Sequence, residues 1–445
     1  MTHSTTRRRF LSAAGALAST AAAGLPHASG ASPASTRTYH EAARDVPVVE
    51  ETDVLIAGAG PAGIAAALAA ARAGARTRLI ETDGCLGGTW TAGLLCWVID
   101  AAGKGGIMAE LIDDLKARGS YVPRHGPNFA FDAEIMKLLL EDKMAEAGPR
   151  IRLRTRVVGA GVRNGRLTTA VTESKSGREA WRAKAFVDCT GDGDLAARAG
   201  CGFDFGHPET GKCQPMTLFA LMTGIRFQEI EPFVGGGLGE PKRRLLAAIR
   251  KGGFEPSYHG PTLFRIRDDL FTISANHQYG RRATSAADVT AATLQGRQEL
   301  HAVVRALRSL GEPWADLAIV ATAEHIGVRE GRRVHGRYTV TVDDMVRGAR
   351  FDDAVCRATF GIDVHATDPA RTKEIERGGG VKTQPYDIPL RSLIARDVKG
   401  LMMAGRCISG DFLAHSSYRV TGNAVAMGEA AGRHAAECAL AGKTP

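Results

Sequence analysis

The sequence predicts a mixed α/β fold, a parallel sheet interrupted by an inserted antiparallel-sheet domain. Three observations carry this. Asp53–Ala57, a β-prone run, leads into a glycine turn, an Ala-rich helix to Ala73 stopped by Gly74, and a second β-prone run at Arg76–Ile80, which is the first unit of a parallel sheet. From about Gly202 to Thr322 the pattern changes to short alternating runs, Met216–Met222 and Leu270–Ala275, with a long helix from about Ala286 to Leu310. After Ala323 the chain returns through Arg329–Arg333 and a strand at Gly400–Ala404 to a last helix, Thr421–Leu440.

In chain order, Thr6-Arg7-Arg8-Arg9-Phe10-Leu11 matches a twin-arginine export signal, and the Ala-rich stretch from Leu11 to Leu25 behind it carries no charge. That stretch is shorter than the ~20 residues a spanning helix needs, so the mature protein is expected not to span a membrane. Residues 1–30 are read as the signal, with cleavage near Ala28-Ser29-Gly30 or Ala34, and 31–47, rich in Ala, Ser, Thr and Pro, as a linker. Residues 48–201 and 323–445 form the two parts of the parallel-sheet domain, and 202–322 the insert. Within the first part, Asp132–Ala147 reads as a helix capped by Asp132 and stopped by Gly148, followed by strands near Ile151–Val158, Leu167–Glu173 and Ala183–Asp188.

A chain of 445 residues with 44% hydrophobic and 24% charged residues is neither disordered nor fibrous. The net charge of +9 includes Arg7, Arg8 and Arg9, and no basic run is interleaved with aromatics, so no nucleic-acid partner is expected. The eight cysteines contain no Cys-x-x-Cys pair, and no His/Cys/carboxylate cluster has metal-ligand spacing, so no metal is expected.

Gly58-x-Gly60-x-x-Gly63 follows a strand and opens a helix, and Glu81 ends the next strand. Gly58 allows the tight turn, Gly60 admits a pyrophosphate close to the backbone, and Gly63 lets helix and strand pack. The helix N-terminus offers N–H groups to the anion, and Glu81 is placed to accept from ribose hydroxyls. Two later segments select between dinucleotides. Phe186–Asp194 ends a strand with an acidic glycine turn, and Val398–Arg406 is a strand ending in Ala-Gly; both resemble the second and third flavin motifs of glutathione-reductase-like FAD proteins. A second nucleotide fingerprint is lacking, because Gly159-Ala160-Gly161 has no third glycine and Gly235-Gly236-Gly237 opens no βαβ unit. FAD is therefore the expected cofactor and an NAD(P)H module is not expected.

These motifs, with Leu86-Gly87-Gly88-Thr89, Gln214-Pro215-Met216, Gly327–Arg333, Pro389–Leu393 and Ala404-Gly405-Arg406-Cys407-Ile408-Ser409, resemble the bacterial FAD-dependent oxidoreductase family over roughly Thr52 to Leu440. The resemblance implies a Rossmann-like FAD-binding domain, noncovalent FAD and redox chemistry, without naming a substrate. It places cofactor contacts at Gly58, Gly60, Pro61, Ala62, Gly63, Glu81, Gly88, Thr89 and Val157. Thr190, Gly191, Asp192, Gly405 and Arg406 complete the set. Two departures stand out. Thr89 is followed by Trp90 where disulfide reductases of similar fold carry a redox cysteine, so no dithiol relay is expected; and Arg406 stands where they carry an Asp, a role that Asp192 or Asp411 would then fill.

Charge developing on a reduced flavin has to be met by a dipole or cation, and Gly422 and Asn423, at the start of the last helix, are the candidate locus. His415 is a candidate proton acceptor and Arg419 a candidate anchor for a carboxylate or for flavin charge. Arg329, Arg332 and Arg333 are candidates to face an anionic substrate, and Tyr258, His259, His277 and Tyr279 to line its pocket. The expected function is an exported, periplasmic or extracellular FAD-dependent oxidoreductase moving hydride between a small organic substrate and FAD. Its partners are the twin-arginine export machinery and oxygen, a quinone or an electron carrier. A tightly held cofactor suits export of a folded protein. A flavin monooxygenase and a flavin-holding binding protein without turnover are the alternatives.

Overall fold

Strand β1 (Val48–Ala57) is the spine of the molecule: Val54, Leu55, Ile56 and Ala57 are wholly buried, as a strand covered on both faces requires. It turns through Gly58–Gly60 into helix α1 (Pro61–Arg72), which has Pro61 in its first turn, and returns as β2 (Thr77–Ile80), parallel to β1 from Val54↔Thr77 to Ala57↔Ile80. The computed structural model describes residues 38–123, 128–235, 239–369 and 380–445. The twin-arginine run, the apolar stretch after it, residues 31–37 of the linker, and Gly236 and Gly237 lie outside the described residues. Residues 38–45 belong to a separate unit and carry no helix or strand; there Arg44 pairs with Glu41 at 2.9 Å.

Helix α2 (Ala133–Ala147) begins and ends where its caps predict. The Asp132 carboxylate accepts from the Glu134 N–H at 2.9 Å, and Gly148 closes the helix at φ 79°. The single strand expected over Ile151–Val158 is instead two strands on opposite edges of the sheet. Here β3 (Arg150–Arg152) runs parallel to β2, and β4 (Arg156–Arg163) pairs antiparallel with β5 (Arg166–Ser174). Arg154, at φ 51°, turns the chain between them, a left-handed conformation that a continuous strand does not admit. With β6 (Gly177–Asp188) the order is β3-β2-β1-β6-β5-β4. Gly159 and Gly161 lie inside β4, so neither opens a nucleotide turn.

A second, four-stranded antiparallel sheet comes from the middle of the chain. Its strands are β7 (Ala220–Thr223), β8 (Thr262–Arg267), β9 (Leu270–Ser274) and β10 (Ala318–Thr322), in the order β8-β9-β7-β10, and helix α3 (Ala286–Arg308) precedes β10. Ser285 caps α3 through the Asp288 N–H at 3.2 Å. The expected run at Met216–Met222 is only partly strand: Met216 and Thr217 make single bridges, to Gln278 and Gly327. The Thr272 hydroxyl donates to the Leu94 carbonyl at 2.9 Å, joining this sheet to the segment that follows the glycine turn.

The chain then returns to the parallel sheet. Strand β11 (Leu401–Met403) lies beside the end of β6, pairing Leu401↔Phe186 and Met403↔Asp188. Helices α4 (Phe412–Tyr418) and α5 (Thr421–Leu440) follow. Helix α5 packs on α1 at very short range. A β-carbon at Gly428 would lie 2.0 Å from the Ala62 carbonyl oxygen, and one at Gly432 would lie 2.1 Å from that of Ala66. One helical turn apart, these glycines form a flat stripe against an Ala-rich partner.

All eight cysteines are free thiols, and the five buried ones serve as small apolar side chains. Among the described residues no helix is long and apolar enough to cross a membrane, and no group of three or more His, Cys, Asp or Glu side chains is placed to hold a metal ion.

Candidate functional site

The carboxyl ends of β1, β2, β6 and β11 open on one cavity of about 1130 Å³. That exceeds the ~300–1,000 Å³ of an ordinary small-ligand pocket, so it has room for an extended ligand and a second small molecule. At its floor Gly58 turns at φ 95°, where a β-carbon would lie 2.4 Å from the Cys189 carbonyl oxygen. Gly63 presses on the turn itself, its absent β-carbon 1.8 Å from the Gly58 carbonyl. At Gly60 a β-carbon would meet no atom within 4 Å, because that face looks into the cavity. Gly60 supplies no side-chain cap to α1, so the first-turn N–H groups lack a side-chain partner and favour an anion.

Glu81 lies on the cavity wall, mostly buried. Its carboxylate accepts from the Ala59 N–H and, at 2.8 Å, from the Asp83 N–H, while burial pushes its pKa up. The acid thus ties the glycine turn to the end of β2 and keeps acceptor capacity for a hydroxyl. Beside the glycine turn, at the end of β6, Asp188 pairs with Ala57 and organises the next turn. It accepts from the Thr190 N–H at 3.0 Å, the Thr190 hydroxyl at 2.7 Å and the Ala196 N–H at 2.8 Å. The Arg406 guanidinium donates to Asp192 at 2.9 Å, and Arg332 donates to the Asp192 carbonyl at 2.8 Å and to Asp194 at 2.9 Å. Arg406 therefore fixes the acidic turn, and Asp192, not Asp411, is the carboxylate on the cavity wall; Asp411 caps α4 by accepting from the Ala414 N–H at 2.7 Å.

The same cavity wall carries a charged cluster. Arg419 donates to the Asp363 carbonyl at 2.8 Å and reaches its carboxylate at 3.5 Å; that carboxylate meets the His365 Nε2 at 3.2 Å. Arg329 donates to the Pro215 carbonyl and to the Thr217 hydroxyl, each at 2.7 Å. Tyr258 stacks on His277 with ring centroids 4.0 Å apart, and His277 lies 4.9 Å from His365. Burial lowers the His365 pKa to about 4, the charges of Arg329 and Arg419 adding to that shift and Asp363 opposing it, so the imidazole is neutral near pH 7. Burial pushes the Tyr258 phenol up to about 12.

Of the residues singled out from sequence, Gly58, Gly60, Pro61, Ala62, Glu81, Gly88, Thr89, Val157, Thr190, Gly191, Asp192, Gly405, Arg406 and Arg419 all line this cavity. Gly63 stands behind the turn. His415 does not reach the wall: expected on a loop, it is wholly buried inside α4, and burial with the Arg333, Arg419 and Arg406 charges holds its pKa well below the usual range. Gly422 also lies off the wall, its N–H donating to the Ile99 carbonyl at 3.0 Å, and a β-carbon there would lie 2.2 Å from the Asp100 carbonyl oxygen. Asn423 is buried with both amide atoms unpartnered, as is the hydroxyl of Thr421, which does line the cavity. Arg333 is turned inward, to Glu330 at 2.7 Å and the Gly206 carbonyl at 3.0 Å. Tyr258 lines the cavity, whereas His277 stands behind it. Asp363 and His365, missed from sequence, sit in an irregular segment with no periodic pattern, and only the Asp-x-His spacing marks them.

A parallel α/β sheet with a glycine turn, an acid at the end of the second strand and an elongated cavity across the strand ends defines a dinucleotide-dependent enzyme. The chain belongs to the FAD dependent oxidoreductase family, whose model matches residues 53–445. It is an FAD-dependent oxidoreductase with a Rossmann-like fold. No curated protein matches it in sequence. Among solved structures it is similar to a geranylgeranyl bacteriochlorophyll reductase-like protein of Thermoplasma acidophilum, at 14% identity over 88% of this chain and 78% of that one, with a TM-score of 0.44. It is also similar to a myxobacterial FAD-dependent chondrochloren halogenase, at 14% identity over 84% and 73% with a TM-score of 0.45. For p-nitrophenol 4-monooxygenase of Pseudomonas putida the values are 14%, 65%, 70% and 0.40. The residues present fit FAD: the open face of Gly60 admits a phosphate, and the Thr421 hydroxyl on the cavity wall has no partner in the protein.

Proposed function

We propose that the protein is an exported oxidoreductase that moves hydride between a small organic substrate and FAD, with oxygen, a quinone or an electron carrier as the other redox partner. One observation carries the reading: a single cavity joins the glycine turn to the Arg329, Arg419, Asp363 and His365 cluster. Gly60, Pro61 and Ala62 hold the pyrophosphate, Glu81 a ribose hydroxyl, and the Thr190–Asp192 turn with Gly405 and Arg406 the middle of the cofactor. Bound FAD supplies a two-electron acceptor. The unpartnered Nδ1 of His365, whose Nε2 is occupied by Asp363, would take the proton of a substrate hydroxyl or amine as the substrate is oxidised. Export rests on Arg7 and Arg8 and the uncharged stretch to Leu25. The redox partner is inferred from a single nucleotide fingerprint.

The test is a visible absorption spectrum of the mature protein, repeated anaerobically with pooled alcohols, amines, acids and sugars. Bleaching by one pool supports the reading, and a yellow protein that no pool reduces overturns it. Export is tested by fractionating cells that express the full chain and an Arg7→Lys, Arg8→Lys variant. Retention of the variant alone in the cytoplasm supports export, and identical distribution of both refutes it.

A further inference from the structure

Arg329 and Arg419 both line the cavity, and only one of them is paired directly with a carboxylate. Arg419 pairs with Asp363 at 3.5 Å. Arg329 has only the Pro215 carbonyl and the Thr217 hydroxyl, both neutral, and among the described residues no Asp or Glu oxygen comes within 4.0 Å of it. Burial pulls its pKa down to about 10, which leaves it charged at neutral pH. Asp363 acts on Arg329 as well as on Arg419 but pairs directly only with Arg419, and a cation held away from bulk water with no directly paired counter-ion favours an added anion. The Nε of Arg419 is buried and unpartnered as well, and a guanidinium edge is a donor suited to a planar carboxylate.

The surroundings narrow the kind of anion. Asp363 already offsets one of the two guanidinium charges, and His365 beside it is neutral, so these four groups carry one positive charge in excess. A phosphate, at about −1.5 to −2, overfills that charge and faces repulsion from Asp363. Apolar side chains also contribute to the lining, among them Trp97, Phe219, Phe264, Phe360 and Ile362. Phe219 stands near Arg329, since a β-carbon at Gly327 would lie 3.1 Å from the Phe219 ring.

We propose that Arg329, together with the Nε edge of Arg419, anchors the carboxylate of an organic acid whose apolar body lies against the aromatic wall, and that such acids are the substrate class of this site. The inference rests on the oxidoreductase reading for the word substrate, but the binding site stands without it.

The test is calorimetric titration of the FAD-loaded protein with phenylacetate, isovalerate, lactate and succinate, and with the primary amide of each. At least one acid with an apolar body is expected to bind about tenfold or more tightly than its amide. Arg329→Gln is expected to remove that preference with flavin absorbance retained, and Arg329→Lys to restore part of it. Equal binding of acid and amide by the wild-type protein, or binding of neither, overturns the proposal without reference to any variant. So does an Arg329→Gln protein that loses FAD yet keeps the preference, since the cation then serves the cofactor. If acids bind and no pool bleaches the flavin, the anchor stands and the oxidoreductase reading falls. If neutral alcohols or amines bleach the flavin and no acid binds, the reverse holds.

Discussion

The carboxylate of Asp363 lies between the His365 imidazole, at 3.2 Å, and the Arg419 guanidinium, at 3.5 Å. The His365 contact and the standing charges of Arg419 and Arg329 hold its pKa well below the usual carboxylate range in spite of burial. The arrangement orients His365 and stabilises an imidazolium if a proton arrives, while keeping the resting ring neutral.

Replacing that ring is the direct test of its role. In His365→Gln, turnover of any substrate that bleaches the wild-type flavin should fall by about 10²–10⁴ with flavin content unchanged. Single-turnover flavin reduction, followed by stopped-flow, separates this from a binding defect. An unchanged rate of reduction would remove His365 from the chemistry.

Acid should destabilise the fold early. The His365 pKa is about 4 in the folded chain against 6.5 for a free histidine, so below pH 6.5 the unfolded state binds the proton first. Stability therefore falls as pH drops from 6.5 to 4, by roughly 3 kcal/mol for this residue. His277 and His415, also buried with lowered pKa values, add to the same slope. Thermal midpoints measured between pH 7.5 and 4.5 should decline more gently in His365→Gln than in the wild type; parallel declines would contradict the assignment.

Gly60→Val addresses the phosphate face. No protein atom lies within 4 Å of the added β-carbon, so the apo fold should keep its thermal midpoint while the purified protein loses its colour. A yellow variant would show that the phosphates lie elsewhere.

Gly432→Val tests the opposite kind of glycine. Its side chain would drive into the Ala66 carbonyl, and overpacking of this kind costs typically 1–3 kcal/mol. Denaturant unfolding should show the loss, and a shift under about 0.5 kcal/mol would mean that α1 and α5 separate easily.

What could be read from sequence divides along a physical line. The strand, glycine turn and helix at Asp53–Arg72, and the α2 caps Asp132 and Gly148, depend on residues within a few positions of one another, so spacing alone defines them. The split of Ile151–Val158 depends on which edge of the sheet each half joins, a long-range choice that β-propensity does not encode. His415 was a candidate through its residue type, but α4 turns it inward, whereas Asp363 and His365 come to the wall on an irregular segment. Gly422 shows the same limit: its N–H was expected to face the ligand and is used instead by Ile99.

The contact between α1 and α5 has a bearing on biosynthesis. A ribosome that has released β1, α1 and β2 has made the fingerprint, but Gly405, Arg406 and Thr421, which share the cavity wall with Gly60, have yet to be translated. The nascent chain holds only part of the cavity wall, so flavin loading is expected of the finished polypeptide. A chain stopped before Thr421 should therefore emerge colourless, however well its first strands are formed.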